Sequence, residues 1–322
     1  MSYTLSDFYA QATQPLKKGI FDIFRKESFI MDKLPWETTG TLSVEYLRTK
    51  TLPTITARKV GADMTASKGV LEPMEEQVCI LSANIDIPKE YVEAKNSVQD
   101  IRAVQTKMFT QAMAYKFNDM FINGNPVTSS DEMVGIRHRL INDLASGQSV
   151  NGGALDISSD TSTSNWYNLL IDKIEDLMSL FVDGKPDVLL MNRTTKLRLE
   201  SALRQAGTLD TTKDNYERKQ VTWGVGGPAI IDIGLKGDQS TNIILNTELA
   251  DGTAVTGGAD TSIYAVKFGD EFLKGFQRKE LEAEDMGLLE NRTMYRSYID
   301  WDPGIMLVND RSVARLYGLV AA

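Results

Sequence analysis

The chain contains few side chains that could carry out acid–base, nucleophilic or metal chemistry. Its 322 residues include a single histidine, His138, and a single cysteine, Cys79. A zinc site needs several histidine or cysteine ligands, and a catalytic triad needs a base held beside a nucleophile, so neither residue predicts such a site. One cysteine also excludes an internal disulfide. We therefore expect His138 to have a structural or surface role.

One acidic cluster comprises Glu280, Glu282, Glu284 and Asp285. Carboxylates bind divalent cations, and a metal-dependent enzyme with an acidic site near residues 280–285 is the alternative from another functional class. The first three residues alternate along the sequence as the side chains on one face of a strand do. A solvated strand face is the interpretation that we favour, and we expect no metal requirement.

Two glycine-containing segments fall short of phosphate-binding motifs. The segment Asp183–Pro186 lacks the preceding GxxxxG and the Ser or Thr of a phosphate-binding loop. The segment Trp223–Pro228 precedes a strand pattern, whereas a dinucleotide-binding motif must open a helix. The sequence thus predicts no catalytic residue, no metal ligand, no cofactor-binding residue and no cofactor.

The composition is that of a folded, acidic chain. Hydrophobic residues make up 42% of it and charged residues 25%, which is too apolar for disorder. A net charge of −9 argues against tight binding to nucleic-acid phosphates, which requires clustered lysines and arginines. No apolar run approaches the ~20 residues that span a bilayer, and the N-terminal residues have no apolar signal-peptide core. We expect a soluble protein with no membrane partner.

The strongest helix pattern runs from Ser97 to Pro126. Ser97 and Asp100 form a capping pair at its start, and Gly124 and Pro126 end it. About 26 residues at 1.5 Å each give a rod of roughly 39 Å. Its apolar residues form two stripes, the first of Val98, Ile101, Val104, Met108, Ala112, Tyr115 and Ile122, and the second of Phe109, Met113, Phe117 and Phe121. Two stripes predict that this spine helix packs against elements on two sides.

Residues 36–88 predict a long β-hairpin with an irregular tip. Apolar and polar residues alternate over residues 42–46, and residues 78–87 form a second β-rich run. The outgoing half, 45–60, is net positive and the return half, 61–76, is net negative. These charges fit either cross-strand pairing on a solvated hairpin or contact with another subunit. The candidate intersubunit residues are Arg48, Lys50, Arg58, Lys59, Asp63, Lys68, Glu72, Glu75 and Glu76.

The rest of the chain mixes helices and strands. Residues 1–35 predict a short arm that is too small to bury its own apolar face, and residues 123–164 are loop-rich, with strand-like pieces at 135–136 and 139–144. Further helices are predicted over residues 166–182 and 194–205, and strands over residues 187–191, 229–233, 242–245, 262–268, 294–301, 305–308 and 313–317. Because helices and strands are partly segregated, the predicted fold class is α+β.

The order of these elements resembles the major capsid (major head) protein of tailed bacteriophages, a family with the HK97-type fold. An arm, a long hairpin and a spine helix that ends in the segment Phe121–Pro126 precede a mixed domain. Lys185–Asn192 before a helix, Ser262–Gly269 and Val313–Leu319 are also similar to the family. Gly227–Ile231 is similar to the family's Gly-x-Pro-Val-Ile strand, but lacks the intervening residue. The resemblance spans nearly the whole chain and lies in the order and spacing of these stretches.

The resemblance implies a domain organisation. Residues 1–35 would be the N-terminal arm and residues 36–88 the extended loop. Residues 89–185 and 261–304 would form the peripheral domain with the spine helix, and residues 186–260 and 305–322 the axial domain. The implied function is structural and not enzymatic. The chain would self-assemble into the hexamers and pentamers of an icosahedral head that encloses double-stranded DNA.

The resemblance also implies partners and a location. Besides other copies of itself, the chain would meet a portal and a separate scaffolding protein, because the recognisable fold begins within the first tens of residues. The resemblance leaves open whether a decoration protein is also a partner. Packaged DNA would be held by enclosure with weak contact. The protein would reside in the virion after assembly through a procapsid in the cytoplasm of the host bacterium. The nearest alternative is an encapsulin-type compartment, which shares the fold but encloses protein cargo.

Overall fold

The structure is a computed structural model that describes residues 28–90, 101–144, 146–158, 165–181, 185–207, 209–213, 219–224, 226–249, 252–253, 256–290 and 293–321. Most of the predicted N-terminal arm and the predicted cap of the spine helix at Ser97 and Asp100 lie outside these ranges. The helices are α1 (Phe29–Lys33), α2 (Ile101–Asn123), α3 (Ile136–His138), α4 (Trp166–Ser179) and α5 (Arg193–Ala206). One π-helical turn spans Arg139–Asp143, and 3₁₀ turns span Ser146–Gln148 and Asp310–Ser312.

The strands fall into four sheets. They are β1 (Trp36–Thr38), β2 (Ser43–Thr51), β3 (Val70–Gln77), β4 (Leu81–Pro88), β5 (Ser149–Asp156), β6 (Val188–Met191), β7 (Leu209–Lys213), β8 (Lys219–Trp223), β9 (Ala229–Asp232), β10 (Asp260–Val266), β11 (Leu273–Gln277), β12 (Glu282–Leu288), β13 (Met294–Trp301), β14 (Pro303–Leu307) and β15 (Val313–Val320). The sheet orders are β5-β15-β10-β6-β9-β8-β7, β1-β11-β14, β12-β13-β4 and β2-β3.

The seven-stranded sheet is covered on both faces. Leu189 and Met191 of strand β6 belong to a core cluster with helices α4 and α5, whereas Val188 and Leu190 belong to the cluster that contains the spine helix α2. Because successive side chains of a strand point to opposite faces, this four-residue strand is apolar throughout. Its neighbour α5 begins where the Asn192 side chain accepts a hydrogen bond from the Thr195 amide at 2.8 Å.

The second apolar stripe of the spine helix forms the centre of the other core cluster. Phe117 is fully buried, and its ring lies 5.0 Å from that of Trp301, 5.9 Å from Trp36 and 6.2 Å from Phe121, measured between centroids. Trp301 belongs to β13 and Trp36 to β1, so the stripe joins two of the smaller sheets. Aromatic pairs at these separations are favourable beyond their burial.

The first stripe behaves differently along the helix. Ile122 is buried, but Val104 and Met108 are exposed, Met108 by 56%. Within the described part of the chain, the spine helix is therefore packed mainly through its second stripe and its C-terminal third. The helix ends as predicted after Asn123. Glycine is required at position 124, because a Cβ there would lie 2.3 Å from the Met133 carbonyl oxygen.

Several strand predictions were wrong. The β-rich run 78–87 is β4, which pairs with β13 and not with the outgoing strand of the hairpin. The partner of β2 is β3, nearly all of which lies in the predicted return half, 61–76, and not in the β-rich run 78–87. Residues 139–143 form a π-helical turn, and residues 242–245 form no strand apart from one bridge between Asn242 and Leu235.

A buried ionic network links α3 to the seven-stranded sheet. Glu248 accepts hydrogen bonds from Arg137 at 3.2 Å and from Arg315 at 2.8 Å, and both arginines also donate to the Gly252 carbonyl oxygen. Arg315 donates in addition to Ser262 at 3.0 Å. These buried charged groups are hydrogen-bonded to one another and to the Gly252 carbonyl oxygen, as buried charges must be.

Among the described residues, no helix is both long and apolar enough to cross a membrane.

Candidate intersubunit interface

The two-stranded sheet β2–β3 and the segment that connects its strands form a ribbon over residues 43–77. Its strands run antiparallel, with Ser43 opposite Gln77 and Arg48 opposite Glu72. Opposite residues share a face, so the ribbon has two different faces. We call the face with Tyr46, Arg48 and Glu76 the inner face, and the face with Glu45, Leu47, Pro73 and Glu75 the outer face.

The inner face is held to the body of the subunit by Arg48. This buried side chain forms an ion pair with Asp310, in the 3₁₀ turn before β15, at 2.9 Å. It also donates to Glu72 at 3.0 Å, and Lys50 donates to the other oxygen of Glu72 at 3.0 Å. The hydrogen bonds from Arg48 and Lys50 lower the pKa of Glu72. The ion pair with Asp310 therefore holds the paired strands of the ribbon against the body of the subunit.

A second buried pair joins the inner face to the π-helical turn. Both terminal nitrogens of Arg139 contact the carboxylate of Glu76, one of them at 2.9 Å, and Arg139 donates in addition to the Ile305 carbonyl oxygen at 3.3 Å. Tyr46 donates to Glu76 at 3.3 Å. Burial, aided by the charge of Glu76, raises the pKa of Tyr46 to about 12. A bidentate arginine–carboxylate pair fixes direction as well as distance.

The outer face and the tip of the ribbon, residues 52–69, are exposed. Every residue from 50 to 71 is exposed, and the tip has few contacts of its own. The Thr54 amide donates to Ser67 across the tip at 2.7 Å, and Arg58 donates to the Ala62 carbonyl oxygen at 2.8 Å beside the turn at Gly61. Large apolar side chains are exposed along the ribbon and next to it, namely Leu42, Leu47, Leu52, Ile55, Val60, Met64, Val70, Leu71 and Ile80. Such a concentration of apolar surface typically marks an interaction site.

Comparison with known proteins identifies this architecture. Residues 14–166 match the family model described as Major capsid protein GP7. Among solved structures, the SrpI encapsulin of Synechococcus elongatus PCC 7942 is 14% identical, with a TM-score of 0.61 over 90% of this chain and 86% of that chain. The capsid of the native GTA particle is also 14% identical, with a TM-score of 0.59 over 89% of each chain.

The procapsid of satellite phage P4, solved with its size determination (Sid) protein, is 8% identical. It matches with a TM-score of 0.53 over 96% of this chain and 92% of that chain. No curated protein matches the chain significantly. The chain has the HK97-type capsid fold. Together with the family match, this fold makes it a structural protein of a capsid shell.

In this capsid protein, the nine predicted intersubunit residues occupy different environments. Arg48 and Glu76 are buried in ion pairs within the subunit, and Glu72 is half-buried between Arg48 and Lys50. Arg48 and Glu72 form a cross-strand pair, as one of the two alternatives predicts, whereas Glu76 is paired with Arg139, outside the hairpin. Lys50, Arg58, Lys59, Asp63, Lys68 and Glu75 are exposed, and for them contact with a neighbouring subunit stays a prediction.

The exposed apolar residues of the capsid protein's ribbon were missed at the sequence level. A sequence pattern was available, since residues 52–64 contain four large apolar residues that follow neither helix nor strand periodicity. Such residues have no face on which to be buried locally, and they are therefore candidates for burial against another chain.

The residues considered for chemistry are dispersed in the capsid fold. His138 ends α3, and Cys79 is buried with its thiol 3.0 Å from the Asp131 carbonyl oxygen. Burial raises the pKa of Cys79 to about 11, so its thiol is unreactive near neutral pH. Glu284 and Asp285 are exposed on β12, at the edge of its sheet. Among the described residues, no three His, Cys, Asp or Glu side chains are grouped as a metal site requires.

Proposed function

We propose that this chain is the major capsid protein of a tailed bacteriophage, which self-assembles into the hexamers and pentamers of an icosahedral head around double-stranded DNA. It resides in the virion and assembles in the cytoplasm of the host bacterium. The family match and the HK97-type fold support a shell protein. The exposed ribbon supports a function that depends on contacts between subunits and not on catalysis.

The exposed ribbon is the observation that carries the proposal. A two-stranded ribbon is marginally stable in water, and this one exposes Leu52 by 81% and Ile55 by 93%. A subunit that remained monomeric would expose this apolar surface permanently. A neighbouring subunit is the natural cover, because a shell offers every subunit the same neighbour.

The fold suggests how the domains divide, with the extended loop at 36–88, a peripheral domain around the spine helix at 89–185 and 261–304, and an axial domain at 186–260 and 305–322. Two pairings support moving the loop boundaries inwards, to residues 43–77. Strand β1 pairs with β11 and β4 pairs with β13, so both belong to the sheets around the spine helix.

A scaffolding protein, a portal and packaged DNA are the partners that this function requires, and a decoration protein is compatible with it. The structure of the P4 procapsid, whose chain is similar in fold, includes a size determination protein, which supports a scaffold-like partner. We expect no metal or cofactor.

An encapsulin-type compartment is the second candidate, favoured by the match to the SrpI encapsulin. The two candidates share a shell and differ in its contents. Shells purified from cells that express the complete assembly set would contain protected double-stranded DNA in the first case and a protein cargo in the second.

The test of the proposed function is assembly with and without the tip of the ribbon. We expect the wild-type protein to form capsomers or shells in sedimentation and negative-stain images. Replacing residues 52–69 by a short Gly-Ser turn should leave a soluble, folded subunit that forms no closed shell, because β2, β3 and the base ion pairs are retained.

A matched control distinguishes the loss of apolar residues in the tip from the loss of exposed apolar residues elsewhere. Changing Leu52, Ile55, Val60 and Met64 to Ser should reproduce the assembly defect. Changing Leu169 and Leu197, which are exposed on α4 and α5, to Ser should not. Normal shells from the protein without its tip, or a uniform monomer from wild type at all concentrations, would overturn the proposal.

A further inference from the structure

Asparagine is followed directly by glycine at two places in the sequence, Asn123-Gly124 and Asn151-Gly152. Such a pair can lose the side-chain amide without an enzyme, because the backbone nitrogen of the glycine can attack the amide carbon of the asparagine. Glycine has no Cβ to hinder this approach. The fold places the two pairs in different surroundings, one at the end of the spine helix and the other in strand β5.

The pair at the end of the spine helix is held away from this reaction. Asn123 Nδ2 donates to the Asp119 carboxylate and to the Ile243 carbonyl oxygen, both at 2.8 Å. The Gly124 amide, which contains the attacking nitrogen, donates to the Met120 carbonyl oxygen at 2.9 Å. Both reacting groups are therefore fixed by hydrogen bonds that must break before the groups can approach each other.

The pair in strand β5 lies in an open bulge. β5 is at the edge of the seven-stranded sheet, and Asn151 is exposed. Regular parallel pairing with β15 stops at Asn151 and resumes at Leu155, so residues 152–154 lie opposite the single residue Gly318. Among the described residues, no acceptor receives a hydrogen bond from Asn151 Nδ2. The leaving group of the reaction is therefore not held in place.

The backbone of the bulge activates the Asn151 side chain. The Gly153 amide donates to Asn151 Oδ1 at 2.7 Å. This hydrogen bond holds the side chain against the backbone that follows it and draws electron density from the amide carbon. Negative charge develops on Oδ1 when a nucleophile attacks that carbon. An N–H group that is already directed at the oxygen stabilises this charge, as the donors of an oxyanion hole do.

The bulge also accommodates the product of the reaction. Gly153 and Ala154 have φ angles of +68° and +55°, and this left-handed conformation is unfavourable for alanine. The backbone here is already irregular and strained. An isoaspartate lengthens the main chain by one carbon atom, which would disrupt a regular ladder but changes little where the register is already interrupted.

We propose that Asn151 is a site of spontaneous deamidation in the folded protein, whereas Asn123 is protected. The Gly152 backbone nitrogen loses its proton to solvent and bonds to the Asn151 amide carbon. The bond from that carbon to Nδ2 breaks, and the nitrogen takes up a proton and leaves as ammonia. Water, the only co-reactant, then opens the resulting five-membered imide at either carbonyl carbon and gives aspartate or isoaspartate.

Peptide mapping by mass spectrometry tests this assignment. Folded wild-type subunits are incubated at mildly alkaline pH, which favours loss of the proton from the attacking nitrogen, and the two Asn-Gly peptides are followed over time. Asn151 should deamidate at least about tenfold faster than Asn123, with isoaspartate among the products. In the same chain unfolded in guanidinium chloride, the two rates should become similar, because neither pair is then held by the fold.

Two variants link the chemistry to the charge of the protein. Each deamidation replaces a neutral amide by a carboxylate, so isoelectric focusing of aged wild-type protein should show a new, more acidic band. Asn151→Gln should prevent this band, because the longer side chain would have to close a six-membered ring. Asn123→Gln is the matched control, and the band should form in it as in the wild type.

A rate ratio below tenfold in the folded protein, or an acidic band that persists in Asn151→Gln, would overturn the inference. A difference between the two sites that remains in guanidinium chloride would also overturn it, because the flanking sequence and not the fold would then be the cause. None of these results affects the proposed function, which is tested by assembly.

Discussion

At the scale of single residues, the charges that matter within the subunit are the buried ones. Glu76 with Arg139, and Glu248 with Arg137 and Arg315, join segments that are far apart in the sequence. Removing one partner of such a pair leaves an uncompensated charge in the interior, which typically costs about 3–5 kcal/mol. Exposed pairs such as Arg296 with Asp86 contribute far less, because solvent screens them.

Tyr264 lies beside the buried network of Glu248, Arg137 and Arg315, and it should make the stability of the fold sensitive to alkaline pH. Its ring contacts the Arg315 guanidinium at 5.6 Å, and complete burial raises its pKa to about 12. The unfolded chain ionises this hydroxyl from about pH 10, whereas the folded chain keeps it neutral. The stability that depends on the neutral hydroxyl is thus complete below pH 10 and is lost as the pH rises towards 12.

We expect Tyr264→Phe to change the free energy of unfolding by about 1 kcal/mol or less at pH 7, since the ring and its contact with Arg315 are retained. Between pH 9 and 11, the variant should lose less stability than the wild type. Denaturant titrations of unassembled subunits at both pH values measure this difference. Parallel losses in the two proteins would show that Tyr264 does not control the alkaline transition.

At the scale of elements, the spine helix is a packing element on one side and an exposed surface on the other. Its second stripe is surrounded by aromatic rings from β1 and β13, whereas Met108 on the first stripe is exposed. The two stripes therefore predict different consequences for substitutions of similar chemistry.

Phe117→Ala should lower the free energy of unfolding of the subunit by about 3–5 kcal/mol before any assembly, because it opens a cavity among fully buried rings. Met108→Ala is the matched control and should leave the melting temperature of the free subunit nearly unchanged. Differential scanning calorimetry of both variants decides the matter. An unchanged melting temperature for Phe117→Ala together with failed assembly would make the second stripe an intersubunit face instead.

At the scale of the whole molecule, the net charge bears on the proposed enclosure of DNA. The chain carries −9, and several of its described basic residues, among them Lys50, Lys236 and Lys274, are paired with carboxylates. A shell that bound phosphates tightly would hinder both the packing and the release of DNA. Enclosure, and not adhesion, is the arrangement that this charge favours.

We therefore expect soluble subunits to bind double-stranded DNA weakly, with an affinity that falls steeply as salt is raised. Gel shifts at physiological ionic strength, with a basic DNA-binding protein as a positive control, provide the measurement. Submicromolar affinity at that salt concentration would contradict the prediction.

The sequence by itself determined the elements that follow from local periodicity, the fold class and the shortage of catalytic groups. The spine helix, α4, α5, β6 and β13 were predicted near their observed bounds, because the backbone repeat that creates each pattern is a property of consecutive residues. The order of these elements was enough to indicate the capsid fold.

Only the tertiary structure decided which strands pair and which charges are exposed. Residues 70–77 lack regular alternation, and they form β3 because β2 supplies their hydrogen-bond partners. Arg48 and Glu76 were predicted to be intersubunit residues, but they are buried in ion pairs with Asp310 and Arg139, which are distant in the sequence. Strand pairing and burial depend on contacts between remote segments, and no local pattern of residues encodes which remote segment will be the partner.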